Sequence, residues 1–203
     1  MTSQDWLVNN EGVCRGVDWG NSEADSLRPY RLYRFLTDLE DILEQIPDDA
    51  LRLQAICPLV RQLLRSSSWL QIPMVEPNPE TGWGVLMLYD EPFFPLTLQL
   101  VAWAPGVVSP IHNHACWGLV ALLSGDEKNT FWRRSGREDV PDSIEKVGDR
   151  IFGPGDVLCL MPEAIHHVEA ISPEPTLSFN LYGETNYQQR FQFDVLTGTA
   201  RNF

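Results

Sequence analysis

From Trp83 onward, turn residues cut the chain into short apolar runs, and that rhythm restricts it to a β architecture more than any other feature does. The runs predict strands over Trp83–Asp90, Leu96–Ala104, Cys116–Leu123, Asn129–Arg134 and Ile144–Ile151. They continue over Val157–Met161, His167–Ile171, Leu177–Tyr182 and Phe191–Leu196. Between them stand Pro92, Pro105-Gly106, Ser124-Gly125, Pro141-Asp142, Gly153-Pro154-Gly155-Asp156, Pro173 and Gly183. Many short strands at this spacing predict a sandwich or a barrel.

The first third reads differently. Leu32, Phe35, Leu36, Leu39, Ile42, Leu43 and Ile46 recur at helical spacing and give one face of an amphipathic helix. Ser26 or Leu27 precedes it, Pro29 suits a first helical turn, and Pro47 stops it. A second helix is predicted from Asp48 or Asp49, burying Leu53, Ile56, Val60, Leu63 and Leu64. Pro58 removes a backbone donor within it, which predicts a kink or a split. Residues 1–25 show no periodicity and read as an extended arm or surface loop. The plan is an arm over 1–25, helices over 26–75 that pack on a barrel, and a β domain over 76–203.

With 203 residues and 43% apolar content, the chain can bury a proper core. Its formal charge of −13 argues against nucleic acid and anionic membrane surfaces as partners. Cys14, Cys57, Cys116 and Cys159 are scattered, which suits neither a disulfide framework nor a zinc finger. The polar start, Thr2 to Asp5, is unlike a signal peptide, and no run has the length of a membrane span. The expectation is a soluble cytoplasmic protein.

All four histidines lie in two pairs, His112 with His114 and His166 with His167. On a strand, alternate side chains share a face, so His-x-His would aim two imidazoles at one point. On a helix the same pair would diverge by about 200°. Of the adjacent pair, at most one can join the first two. Converging imidazoles inside a sheet make a metal-site candidate; satisfied core or surface histidines are the plainer alternative.

Gly106, five residues, His112-x-His114 and a strand ended by Gly125 resemble the first cupin motif, and Pro154-Gly155 with a later histidine resembles the second. Together they imply a mainly β cupin jelly roll (double-stranded β-helix) with a short N-terminal helical segment. Cupins usually carry a glutamate ligand where this chain has Gly118. The glycine, preceded by Trp117, resembles the bacterial thiol dioxygenases of the cysteine dioxygenase family. Ser178-Phe179-Asn180-Leu181-Tyr182 resembles that family's Ser-x-His-x-Tyr strand, and Ile165-His166-His167-Val168 its third-ligand motif. The resemblance implies that His112, His114 and His166 ligate a metal, most simply Fe(II), with Ni, Zn or Mn as other divalent options.

Three neutral imidazoles would leave three octahedral positions, one negative charge fewer than the two-His, one-carboxylate oxygenase site. Such a metal favours an anionic thiolate and keeps a place for dioxygen. Gly118 then either keeps a coordination position open or merely eases packing. The resemblance assigns Tyr182 a hydroxyl beside the metal, and strand spacing puts Ser178, Asn180 and Tyr182 on one face. Asn180 replaces the family's histidine; it can hold the tyrosine hydroxyl but cannot shuttle a proton.

The family's early-strand arginine or glutamine, which holds the substrate carboxylate, is missing from Trp83 to Tyr89. Arg133 and Arg134 are the nearest replacements, with a solvated hairpin edge as the alternative. A wall of Trp83 and Val85 would instead suit a simple aminothiol. The expected activity is dioxygenation of a small thiol (cysteine, 3-mercaptopropionate or an aminothiol) to its sulfinate, with the thiol and O2 as partners. The alternatives are a metal cupin with other oxidation or isomerisation chemistry, and a non-enzymatic binding or sensing module.

Overall fold

The computed structural model describes residues 3–19, 29–72 and 74–202. Its strands are β1 (Asp5–Val8), β2 (Cys14–Val17), β3 (Trp83–Asp90), β4 (Leu96–Trp103), β5 (Ile111–His112), β6 (Gly118–Ser124) and β7 (Glu127–Arg134). They continue as β8 (Ile144–Phe152), β9 (Val157–Leu160), β10 (Ile165–Ala170), β11 (Thr176–Gly183), β12 (Phe191–Asp194) and β13 (Thr199–Asn202). Two helices, α1 (Leu32–Gln45) and α2 (Asp49–Ser66), precede β3.

The strands form a seven-stranded sheet ordered β2-β1-β9-β6-β11-β4-β3 and a six-stranded sheet ordered β13-β12-β5-β10-β7-β8. Pairing from β4 to β11 is nested. β7 pairs with β8, β6 with β9, β5 with β10 and β4 with β11, each antiparallel. The nest is one long hairpin whose successive pairs alternate between the two sheets, which makes it a jelly roll. The expected jelly roll is therefore present, and the register itself establishes it.

The central strands of the seven-stranded sheet, β6, β9 and β11, are buried on both faces, which is why they read as nearly continuous apolar runs. Phe35 and Leu39 of α1 and Leu53, Ile56, Val60 and Leu63 of α2 pack on its outer face. There they meet Leu98, Leu100, Leu119, Ala121, Phe179 and Leu181. The Phe35 and Phe179 rings meet edge to face, 6.3 Å between centroids. On the inner face Val120 and Leu122 join Phe131, Phe152, Leu158 and Leu160 between the sheets.

Several expectations need correction. The described part of the expected arm, residues 3–19, is not loose: β1 pairs parallel with β9 and antiparallel with β2, extending the seven-stranded sheet. A buried ion pair between Asp5 and Arg61 ties β1 to α2. Alternation over four-residue strands was too short to register as periodicity. Ser26 and Leu27, and with them residues 20–25 of the expected arm, lie outside the described residues. The first helical residue is Leu32, so Pro29 stands before the helix rather than in its first turn. Asp48 caps α2 by accepting from the Leu51 amide at 2.9 Å. The helix runs through Pro58 without splitting, since burial of Leu53, Ile56, Cys57, Val60 and Leu63 on both sides of it outweighs one lost hydrogen bond. All four cysteines are free thiols. No helix among the described residues is long and apolar enough to cross a membrane.

Candidate metal centre

His112 and His166 are direct partners across the β5–β10 pairing, so two imidazoles rise from adjacent strands of one sheet. β5 ends at His112, however, and His114 lies in the following loop, where Ala115 takes a φ of 53°. Strand alternation therefore does not bring His114 to the site. The Asn113 amide between the two histidines donates to the Phe191 carbonyl at 3.2 Å, so the segment that carries His114 is held by β12. One ligand-type nitrogen from each of His112, His114 and His166 lies within 4.8 Å of the others.

The Nε2 atoms of His114 and His166 are 3.0 Å apart. Two nitrogens each about 2.1 Å from one ion and at right angles to each other would be separated by about 3.0 Å. The far ring nitrogens of His112 and His166 are committed elsewhere. Nδ1 of His112 faces the Pro110 carbonyl at 2.9 Å, and Nδ1 of His166 faces Asn129 Oδ1 at 2.8 Å. A carbonyl oxygen only accepts, so each Nδ1 carries the proton and each Nε2 presents a lone pair inward. Burial pushes His112 down to about 4 and holds His114 and His166 well below the usual histidine range, with repulsion among the rings adding to it. All three are neutral at pH 7, the form that binds a metal. The residues fit a divalent ion.

His167 points to the opposite face, where Trp132 Nε1 donates to its Nδ1 at 3.0 Å. Beside the triad, the Tyr182 ring stacks on His114 at 4.6 Å and 24°. Tyr182 Oη donates to Asn180 Oδ1 at 3.2 Å, and Asn180 Nδ2 donates to Ser178 Oγ at 2.9 Å. Ser178, Asn180 and Tyr182 thus share the inward face of β11, while Leu177, Phe179 and Leu181 face the helices. Burial holds the Tyr182 phenol far above its ordinary value, so it remains protonated.

Gly118 sits opposite Tyr182 in the β6–β11 register, and a Cβ there would lie 2.9 Å from ring atoms Cδ1 and Cε1. A Cβ on Gly183 would lie 2.4 Å from Trp117 Nε1. Tyr182 and Gly183 of β11 face Gly118 of β6 and Trp117 just before it, and each ring lies over the opposite segment's glycine. Close approach explains Gly118 directly, and Tyr182 occupies the space a longer side chain would need.

A cavity of about 430 Å³ is lined by the three histidines and by Ser178, Asn180 and Tyr182. Trp83 and Val85 also line it, and both are partly exposed. Arg133 and Arg134, expected at the substrate pocket, do not line it. Arg133 pairs with Glu145 across β7–β8, and Arg134 pairs with Asp142 at 2.6 Å while lying over Phe191 and Phe193. They stand at the solvent end of β7, beyond a bulge between Phe131 and Trp132.

The sequence did not point to several other lining residues, among them Gln99, Glu127, Asn129 and Arg190. Alternation of Glu127, Asn129 and Phe131 was the one available signal for the inward face of β7. Glu127 is buried, accepts from Thr176 Oγ1 at 2.7 Å, and is pushed up to about 7 by burial. Arg190 lies in the loop before β12, where no periodicity points inward.

No family model matches this sequence. Among solved structures it is similar to oxalate oxidase in complex with glycolate, with 13% identity over 55% of each chain and a TM-score of 0.40. It is also similar to oxalate decarboxylase from Bacillus subtilis, with 22% identity over 55% of this chain and 28% of that one, and a TM-score of 0.43. For the formate complex of the Lactobacillus farciminis oxalate decarboxylase the identity is 16%, over 58% of this chain and 33% of that one, with a TM-score of 0.44. The chain thus matches about half of the oxidase and about a third of the decarboxylases. These likenesses concern the jelly roll and carry nothing about the reaction. The residues themselves define a jelly-roll barrel that closes around three neutral, converging imidazoles.

Proposed function

We propose that the protein is an iron-dependent thiol dioxygenase that converts a small thiol to its sulfinate. One observation carries this reading: the group of possible ligands consists of three imidazoles with no carboxylate, beside a stacked tyrosine. Ferrous iron bound there would supply thiolate ligation and activation of dioxygen. The neutral ligand set favours an anionic sulfur, because no carboxylate within it repels the thiolate. The overall change is RS⁻ + O2 → RSO2⁻. Both oxygen atoms bond to sulfur, and the four electrons that sulfur loses are those that dioxygen gains, so no outside reductant is needed.

Tyr182 contributes a protonated hydroxyl whose hydrogen rests on Asn180 Oδ1. Because Asn180 Nδ2 is committed to Ser178, the amide is fixed in the orientation that accepts from the tyrosine. The hydroxyl oxygen keeps lone pairs free to accept, and its hydrogen can swing to a ligand that bonds better than a 3.2 Å contact. Asn180 cannot relay a proton, so Tyr182 orients bound species rather than acting as a general acid. Apolar walls from Val101, Trp103, Val120 and Leu158 limit water around the sulfur.

The decisive experiment is oxygen uptake by the iron-loaded protein with cysteine, 3-mercaptopropionate and cysteamine, with the sulfinate identified by mass spectrometry. Uptake matched one-to-one by sulfinate supports the reading; silence on all three thiols overturns it. The cavity, within the range of about 300–1,000 Å³ that holds larger ligands, favours a second reading: oxidation of a bulkier oxygenated metabolite at the same metal.

A further inference from the structure

The strand β5 ends at His112, yet its pairing with β12 has one more rung to close. Gln192 stands opposite His112 and Phe193 opposite Ile111, so the register sets Phe191 opposite Asn113. Alternate pairs of an antiparallel ladder exchange two bonds, each amide donating to the other residue's carbonyl. Half of that exchange is regular here: the Asn113 amide donates to the Phe191 carbonyl at 3.2 Å. The other half is not. The Phe191 amide donates to the side-chain Oδ1 of Asn113, at 2.7 Å. The side chain stands in for the main-chain carbonyl, and the rung closes although the chain is leaving the strand. His114 and Ala115, the latter with a φ of 53°, follow in the loop. Asn113 Nδ2 donates to the Gln189 carbonyl at 3.0 Å, so both ends of the amide are used. The residue is buried, which keeps water from competing for these bonds.

From this geometry we infer that Asn113 is a positioning residue for the metal centre: it holds His114 in the triad and couples metal ligation to the cavity wall formed by residues 189–191. The inference rests on the three-histidine centre and is independent of the thiol reading. Arg190 lies between the two residues that Asn113 clamps, and it lines the histidine cavity. Its carbonyl accepts from Asn202 Nδ2 at 3.1 Å, which anchors the same segment from β13. Coupling between two such parts is reciprocal. A metal that fixes His112 and His114 also fixes Asn113 between them, and with it the wall; a loosened wall in turn weakens the metal. The residue type follows from the bonds. Aspartate could still accept from the Phe191 amide but would set an anionic oxygen against the Gln189 carbonyl, and alanine offers neither bond.

The test compares wild type, Asn113→Asp and Asn113→Ala, each without metal and loaded anaerobically with Fe(II) or Co(II). Calorimetry should give a metal Kd about tenfold to a hundredfold weaker for Asn113→Ala, the range for losing a group that orients metal ligands. Asn113→Asp, which keeps one of the two side-chain bonds, should fall between that variant and the wild type. The visible absorption of bound Co(II) should shift in Asn113→Ala, because a displaced His114 changes the ligand field. A residue that only supported the fold would lower the urea midpoint and leave that spectrum unmoved. Hydrogen exchange at the Phe191 amide reads the coupling. Metal should slow it in the wild type, and that slowing should be lost in Asn113→Ala. Wild-type affinity and an unshifted spectrum in Asn113→Ala overturn the inference and leave the centre standing. A wild type that binds neither metal overturns the centre and the inference together. If neither variant folds, the wild-type exchange decides alone, and a Phe191 amide that exchanges as fast with metal as without overturns the inference.

Discussion

At the scale of single residues, burial decides which form each side chain takes. His112→Ala, His114→Ala and His166→Ala should each abolish retention of metal, whereas His167→Ala should keep it; metal content after desalting checks this. Loss in the His167 variant alone would overturn the ligand set, because His167 faces Trp132 on the other side of its strand. Glu127 gives a pH prediction. Its carboxyl rises from the usual 4.5 to about 7 on folding, so the native state holds a proton that the unfolded chain has released between those values. Below about 4.5 both states are protonated and burial costs nothing extra; as pH rises through 7 that stability is lost, up to about 3 kcal/mol. Urea unfolding from pH 5 to 8 should show this decline, and Glu127→Gln should flatten it.

At the scale of elements, β11 is where the two halves of the structure meet. Its outward residues meet the helices, and its inward residues, Ser178, Asn180 and Tyr182, line the cavity. A one-residue slip would exchange the two sets, so register and function are specified together. Phe179 is fully buried against Phe35. Phe179→Ala should cost about 3–5 kcal/mol in urea unfolding, and activity of the residual folded fraction should survive, since Phe179 faces away from the metal. Equal loss of activity per folded molecule would show that the helices control the site as well as support it.

At the scale of the whole molecule, the candidate metal site spans the nested pairing. His112 and Tyr182 belong to opposite sheets, and His114 depends on a loop clamped by the start of β12. The unfolded chain does not assemble this site, so metal binding should stabilise the fold. At a free metal concentration of 100 Kd the gain is about 2.7 kcal/mol. A thermal melt should shift upward on adding ferrous iron anaerobically, and His114→Ala should show no shift. An equal shift in both proteins would place the metal elsewhere.

Nine of the eleven strands from Trp83 onward (all but β5 and β13), both helices and the two histidine pairs were legible because each follows a local period. Apolar spacing of 3.6 or 2 exposes a buried face whatever it packs against, and His-x-His marks itself by composition. The β1–β2 hairpin escaped because four residues carry too little alternation. The roles of Arg133, Arg134 and Arg190 could not be read along the chain. Arg133 and Arg134 are near a strand that lines the cavity, yet a bulge and cross-strand carboxylates hold them outside. Arg190 has no periodic neighbour and reaches the site only because Asn113 fastens its segment to the ligand loop. The amino-acid sequence by itself determined the class of fold and the presence of converging imidazoles, because both arise from short-range spacing. The tertiary structure alone decided which histidine completes the triad, why residue 118 must be glycine and which cation lines the cavity. Each of those depends on the register of strands far apart in the chain.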